Sequence, residues 1–211
     1  MQLLKAVPPA GSLPGMVWAK LTKTKNGQTA SEALLLCTTS TCTAKRSAGT
    51  TGKYPGYFLT PDGFGAASSK HAFVWEVLPG NNPNKTAVAL QQFDGTKWTT
   101  VMTVTQQRVS VSKGPFRPPQ TIISPELHVS AGSPTRAVAL LAHTLPATAK
   151  SGTLVTHTWD GAKWAPLANA TFEKDSPLMP TGKPESQVYQ LLALPSGTAL
   201  LTLIGSMWRL A

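Results

Sequence analysis

The sequence predicts an all-β chain built from tandem four-stranded antiparallel repeats. The 211 residues include 17 Gly and 18 Pro, and these recur along the whole chain, which suits short strands joined by turns and works against long helices. Hydrophobic residues make up 41% of the chain, so a sizeable core is expected and disorder is not. An aromatic-Asp-Gly-x-Lys-Trp motif also occurs twice, at Phe93 to Trp98 and Trp159 to Trp164.

The two copies of this motif predict hairpins. Each lies between two stretches typical of strands, and Asp-Gly in that position is among the strongest short-range hairpin signals. With four residues in the loop, the first and last aromatic residues should face each other across the hairpin mouth. Cross-strand aromatic pairs of this kind contribute about 0.2–1 kcal/mol each.

Weaker similarities extend the motif into larger units. Residues 17–21 parallel 74–78 because both begin with Val-Trp, and residues 57–62 match 121–126. The sequence therefore predicts one β-repeat domain over residues 1–211. Its units lie at approximately 1–50, 51–110, 115–175 and 185–211, and the last unit is one strand short. The strand-like residues 2–7 are candidates for that missing strand.

The only two cysteines, Cys37 and Cys42, are five residues apart, as are the aromatic residues of each motif. The same hairpin geometry places them opposite each other, within reach of a disulfide. Such a bond favours an oxidising location, namely the cell exterior, the periplasm or an organelle lumen. The alternative is two free thiols packed as small hydrophobic groups in a reducing compartment.

Four-strand units with a Trp- and Gly-marked hairpin resemble the blades of β-propellers. The resemblance implies the architecture and no active site. The hairpin is loosely similar to the Asp-box of sialidases but lacks the residue between Asp and Gly, and the Gly-Gly pair of Kelch blades is missing. The units could close a small ring, or form half of a larger ring completed by a second copy or another subunit. A β-sandwich is the second fold predicted.

The net charge of +10 is concentrated in one part of the chain. Residues 1–117 hold thirteen Lys/Arg and four Asp/Glu, whereas residues 118–211 hold six and five. A basic half could bind an acidic protein or another acidic macromolecule, or it could be a solvated surface whose lysines discourage aggregation. The sequence shows no clear nucleic-acid signature and no apolar stretch of the ~18 residues that a membrane helix needs.

No catalytic constellation stands out. The nine acidic residues include Asp94 and Asp160, whose positions in turns predict a structural role. The four histidines lack metal-site spacing, although His143 and His157 fall on neighbouring predicted strands. We therefore expect no cofactor, no metal and no enzymatic activity. A glycoside-acting enzyme, which needs two converging carboxylates, is retained as an alternative.

Three tryptophans, Trp98, Trp159 and Trp164, have two interpretations. They could pack within their hairpins, or they could stack on sugar rings, as exposed tryptophans beside Asp do in carbohydrate-binding sites. The leading functional hypothesis is thus a basic, protein-binding scaffold, for example an accessory subunit of a larger assembly. A carbohydrate-binding (lectin-like) propeller is the alternative.

Overall fold

The computed structural model describes residues 1–7, 16–25, 28–49, 56–60, 62–81, 85–107, 109–111, 120–122, 126–142, 151–173, 190–196, 199–203 and 206–210. Every regular element among them is a β-strand, and every strand pairing is antiparallel, so the all-β prediction is confirmed. Within these ranges there is no helix long and apolar enough to cross a membrane.

Among the described residues, four larger sheets, numbered 1 to 4, and one two-stranded sheet follow one another along the chain. Sheet 1 contains β1 (Gln2–Val7), β2 (Met16–Lys25), β3 (Gln28–Cys37) and β4 (Cys42–Ser47). Sheet 2 contains β5 (Tyr57–Phe58), β6 (Phe64–Ser68), β7 (His71–Val77), β8 (Lys85–Phe93) and β9 (Trp98–Gln107). A small two-stranded sheet follows, made of β10 (Val109–Val111) and β11 (Gln120–Ile122). Sheet 3 contains β12 (Glu126–Ser133), β13 (Arg136–Ala142), β14 (Ser151–Trp159) and β15 (Trp164–Glu173). Sheet 4 contains β16 (Gln190–Ala193), β17 (Ala199–Leu203) and β18 (Ser206–Leu210).

Strands in these sheets pair with their neighbours in sequence, as in a meander. Sheet 2 departs from this pattern because β5 and β6 both pair with β7, one at each end, so its first strand is interrupted. The pairing bears out antiparallel sheets of up to five strands. Closure into a ring stays a prediction, because among the described residues no strand of sheet 4 pairs with a strand of sheet 1.

The central strand β7 shows why the sheets stack. Six of its seven residues are buried, which requires cover on both of its faces. Ala72 and Val74 belong to an apolar cluster shared with sheet 1, whereas Phe73, Trp75 and Val77 belong to a cluster shared with sheet 3. Alternation along one strand therefore joins three sheets into a continuous core.

Sheet 3 uses its other face for sheet 4. Val138 packs with Ala193 and Leu191, and the backbone N–H of Ala193 donates to Ser130 Oγ at 3.0 Å. A side chain at Gly132 would collide with the carbonyl oxygen of Ala193, since a Cβ there would lie 2.6 Å from it. The sheets thus pack in chain order from sheet 1 to sheet 4.

Two sequence-based matches are wrong in register. Val17 pairs with Cys37 and Ala72 pairs with Phe93, so Trp18 is equivalent to Phe73 and not to Trp75. Residues 57–58 pair with β7, whereas residues 121–122 pair with β10 in the small separate sheet. Short apolar runs look alike in sequence, and only the hydrogen-bonded partners distinguish them.

The expected role of residues 2–7 also needs correction. They pair with Met16 to Lys20 and complete sheet 1, so they do not supply the missing strand of the fourth unit. The meander provides the reason, because the nearest strand in sequence is available at a low entropic cost of loop closure.

Trp18 is fully buried, and we expect Trp18→Ala to lower the free energy of unfolding by about 3–5 kcal/mol, since large-to-small changes in a core leave a cavity. Denaturant unfolding would measure the loss. The control is Thr39→Ala on an exposed turn, which should change stability by less than about 0.5 kcal/mol. Equal effects of the two substitutions would contradict the packing of sheet 1 on sheet 2.

Candidate functional site

The β8–β9 turn is organised by one carboxylate oxygen. Asp94 Oδ1 accepts hydrogen bonds from the backbone N–H groups of Thr96 and Lys97, both at 2.9 Å, and from Thr96 Oγ1 at 2.7 Å. The Lys97 amide is the main cause, with Thr96 second, of a pKa for Asp94 lowered from its ordinary 3.8 to about 2. Gly95 adopts a φ of 100°, a conformation that other residues rarely tolerate.

The β14–β15 turn repeats this arrangement. Asp160 Oδ1 accepts from the backbone N–H groups of Lys163 at 2.9 Å and Ala162 at 2.8 Å. These two bonds lower the pKa of Asp160, and Gly161 has a φ of 101°. The structural role predicted for both aspartates agrees with these contacts.

Each Asp-Gly turn packs on a second turn at the same end of its sheet. A Cβ on Gly95 would lie 3.2 Å from Lys70 Cβ, and one on Gly161 would lie 2.9 Å from Thr135 Cγ2. We call this end of sheets 2 and 3 the hairpin rim. It comprises Lys70, Asp94–Lys97, Thr135, Arg136 and Asp160–Lys163.

Below the rim, the aromatic residues of each hairpin face each other as predicted. Phe93 pairs with Trp98 and Trp159 pairs with Trp164, with ring centroids 5.2 Å and 5.9 Å apart. We call each pair an aromatic clamp. Both clamps face the preceding sheet, because Phe93 packs in the cluster shared with sheet 1 and Trp159 packs in the cluster shared with sheet 2.

Each clamp receives one aromatic side chain from the preceding sheet. Trp18 lies against the Phe93–Trp98 clamp, with ring centroids 5.7 and 6.1 Å away. Its equivalent in sheet 2, Phe73, lies 6.1 Å from Trp159 and 5.3 Å from Trp164. The edge-on geometry of these contacts is the one that aromatic rings prefer.

The three candidate ligand-binding tryptophans are therefore engaged in packing. Trp159 is 7% exposed, and its Nε1–H donates to the carbonyl oxygen of Pro134 at 3.2 Å. Trp98 and Trp164 are half-buried, and their buried Nε1 atoms have no hydrogen-bond acceptor among the residues that the structure describes. Sugar binding by these rings stays a prediction, and it would require faces that now contact Trp18 and Phe73.

The predicted disulfide between Cys37 and Cys42 is present. The two residues pair across the β3–β4 hairpin, at the position that the clamps occupy in sheets 2 and 3. The β3–β4 turn is closed by its own hydrogen bonds, in which the Thr38 N–H donates to the Thr41 carbonyl oxygen at 2.7 Å. Cys37 packs with Ala19 and Leu35 on the face of sheet 1 that lies opposite Trp18.

Two buried carboxylates link sheet 1 to sheet 2. Glu76, on β7, accepts hydrogen bonds from both Nε (2.9 Å) and Nη2 of Arg46, on β4. The Arg46 guanidinium also lies 5.9 Å from the centre of the Trp98 ring. Glu32 pairs with Lys20 at 3.2 Å and accepts from the Phe58 N–H at 2.8 Å.

Sequence reasoning did not identify these ionic links. The available signal was a single charge in an otherwise apolar strand, as at Glu76 between Trp75 and Val77. Such a charge is buried only when it is paired, so it points to a partner on another element.

The described histidines and acidic residues form no metal site, since no group of three or more potential ligands lies close together among them. Burial lowers the pKa of His157. His143, its suggested partner, lies outside the described residues.

Thiol titration under denaturing, non-reducing conditions should find no free thiol, because both cysteines are in the bond. The Cys37→Ser/Cys42→Ser double variant should lose about 2 kcal/mol of stability, the low end of the usual range, because the closed loop is short. Two titratable thiols in freshly purified protein would contradict the bond.

Carboxyl-carbon NMR should give Asp94 a pKa of about 2. Because this value lies below that of the unfolded chain, the stabilisation is complete above pH ~4 and is lost as the pH falls toward 2. Thr96→Val should raise the Asp94 pKa partway, since one of three hydrogen bonds disappears. Asp94→Asn should make stability less dependent on pH in that interval. An unshifted Asp94 would refute the turn geometry.

No known protein supplies a function for this chain by similarity. No family model matches the sequence, and no curated protein or solved structure matches it significantly. Its function has to be inferred from its own contacts and charges.

Proposed function

We propose that this chain is a non-catalytic interaction module, a rigid β scaffold that docks to another macromolecule as an accessory subunit of a larger assembly. The partner would be acidic, because the chain carries a net charge of +10. An oxidising compartment is part of the proposal, and the Cys37–Cys42 disulfide is compatible with it.

The observation that carries the proposal is the outer face of sheet 4. Leu191 and Ala193 face sheet 3, so Leu192 between them points away, and its side chain is 48% exposed. Its cross-strand partner Leu200 is half-buried. Each earlier sheet covers the equivalent face with the next sheet. An apolar face left exposed is typical of a surface that binds another protein.

The alternative is a carbohydrate-binding module that uses Trp98, Trp159 and Trp164. It would need the clamps to release Trp18 and Phe73, which the packing of sheets 1, 2 and 3 opposes. A glycoside-acting enzyme is the third possibility. Glu32 and Glu76 are its most buried described carboxylates, and each is already paired with a cation.

The proposal predicts association through sheet 4. Sedimentation should show the chain in complexes larger than a monomer, alone or with an acidic partner, and Leu192→Asp should weaken them at least tenfold. The matched control is Thr39→Asp, which adds the same charge at an exposed turn and should leave association unchanged. A folded monomer without affinity for any acidic macromolecule would rule the proposal out.

A further inference from the structure

We propose that the hairpin rim of sheets 2 and 3 binds a linear polyanion, specifically a sulfated or carboxylated polysaccharide. This inference rests on the proposed function, because it names the partner class and the surface that an interaction module of this charge would use. It assigns the rim a role distinct from that of sheet 4, whose exposed leucine would contact protein.

The rim presents two cations from each sheet. Lys97 and Lys163 occupy equivalent positions, directly before the second aromatic residue of each clamp. Lys70 lies in the turn that precedes β7, whereas Arg136 is the first residue of β13, one residue beyond Thr135, the equivalent of Lys70. All four side chains are exposed. Each of the two sheets therefore places two positive charges at the same end of the stack.

These four cations have no ion-pair partner within the part of the chain that the structure describes. The ion pairs found there are Lys20–Glu32, within sheet 1, and Arg46–Glu76, between sheets 1 and 2, and neither includes a cation of the rim. The rim does contain two carboxylates, Asp94 and Asp160. Each directs an oxygen at the backbone N–H groups of its own turn, and each also attracts the lysine of that turn, Lys97 or Lys163. Four cations against two carboxylates leave the rim with an excess of two positive charges for an external anion.

The rim is also rigid. Gly95 contacts the Lys70 stem and Gly161 contacts Thr135, so the two turns of each sheet hold each other in place. The aromatic clamps anchor the hairpins from below. The backbone that carries these cations is therefore already ordered before binding, and only the exposed side chains lose rotamer freedom. Stacked sheets lie ~10 Å apart, so a linear polymer that extends from one sheet to the next can contact both pairs of cations at once.

A polysaccharide fits this rim better than a nucleic acid does. Proteins bind single strands by stacking bases on exposed aromatic rings, but the tryptophans nearest the rim are packed against Trp18 and Phe73. The rim instead offers hydroxyl groups beside its cations, at the exposed Thr96 and Thr135. Hydroxyls and cations together suit a polymer that carries sulfate or carboxylate groups among neutral hydroxyls.

The test measures binding of the full chain to heparin, as a sulfated polysaccharide, by titration calorimetry over a series of salt concentrations. Dextran serves as a neutral polymer, and polyglutamate and single-stranded oligothymidine serve as other polyanions. We expect heparin to bind tightest, with an affinity that falls as salt rises because counterions are released. Dextran should not bind.

Two double variants remove the same charge from different places. Lys70→Ser/Lys97→Ser should weaken heparin binding at least tenfold, whereas Lys23→Ser/Lys45→Ser, on sheet 1 outside the rim, should change it less than about threefold. Lys23, Lys70 and Lys97 are exposed and Lys45 is half-buried, so thermal unfolding should stay close to that of the parent. Arg136→Ser/Lys163→Ser provides a second, independent rim variant.

Equal losses in the rim and control variants would overturn the inference, since binding would then follow net charge alone. Tighter binding of oligothymidine or polyglutamate than of heparin would overturn the choice of polysaccharide. The proposed function is judged separately by sedimentation of Leu192→Asp. If the chain assembles through sheet 4 but does not bind heparin, this inference is refuted and the proposed function is not affected.

Discussion

The structure depends on the insertion of one aromatic side chain of sheet 1 into the clamp of sheet 2 and of one aromatic side chain of sheet 2 into the clamp of sheet 3. Trp18 enters the Phe93–Trp98 clamp, and Phe73 enters the Trp159–Trp164 clamp. An isolated four-stranded sheet cannot bury both of its faces, so its stability comes from the sheets on either side. Each of these two clamps fixes the position of its sheet on the preceding sheet. If the strand that carries the inserted ring shifted its register by one residue, the ring would point to the opposite face.

The position of the disulfide follows from the same arrangement. Cys37 and Cys42 occupy the clamp position of sheet 1, and among the described residues no aromatic side chain of another sheet packs against them. A clamp without an inserted ring would expose two large apolar faces. The disulfide joins the two strands of that hairpin without a side chain from another sheet, whereas each aromatic pair is covered by a ring from the preceding sheet. Sheet 1 can therefore keep its shape while it contributes Trp18 to sheet 2.

The sequence could predict contacts between residues that are close together in the chain, and it could not predict contacts between residues that are far apart in the chain. The Asp-Gly hairpins, their facing aromatic residues and the disulfide lie within six residues of chain, where turn geometry determines which residues meet. The equivalence of Trp18 with Phe73 was missed because two Val-Trp pairs look alike, and only the partners across the sheet reveal the two-residue offset. The Arg46–Glu76 pair spans thirty residues between different sheets, and no local pattern encodes such a contact.

The buried ion pairs of sheets 1 and 2 also affect which charged groups remain at the surface. Residues 1–117 contain four acidic residues, and two of them, Glu32 and Glu76, are buried between sheets 1 and 2. Breaking either pair would leave an uncompensated buried charge, so these carboxylates cannot turn outward to neutralise the surface lysines. Asp94 is exposed, but its oxygen is held by the amides of its own turn. The contacts that hold sheets 1 and 2 together thus bury two carboxylates, each together with a cation, and the ion pairs found among the described residues do not include the cations of the rim.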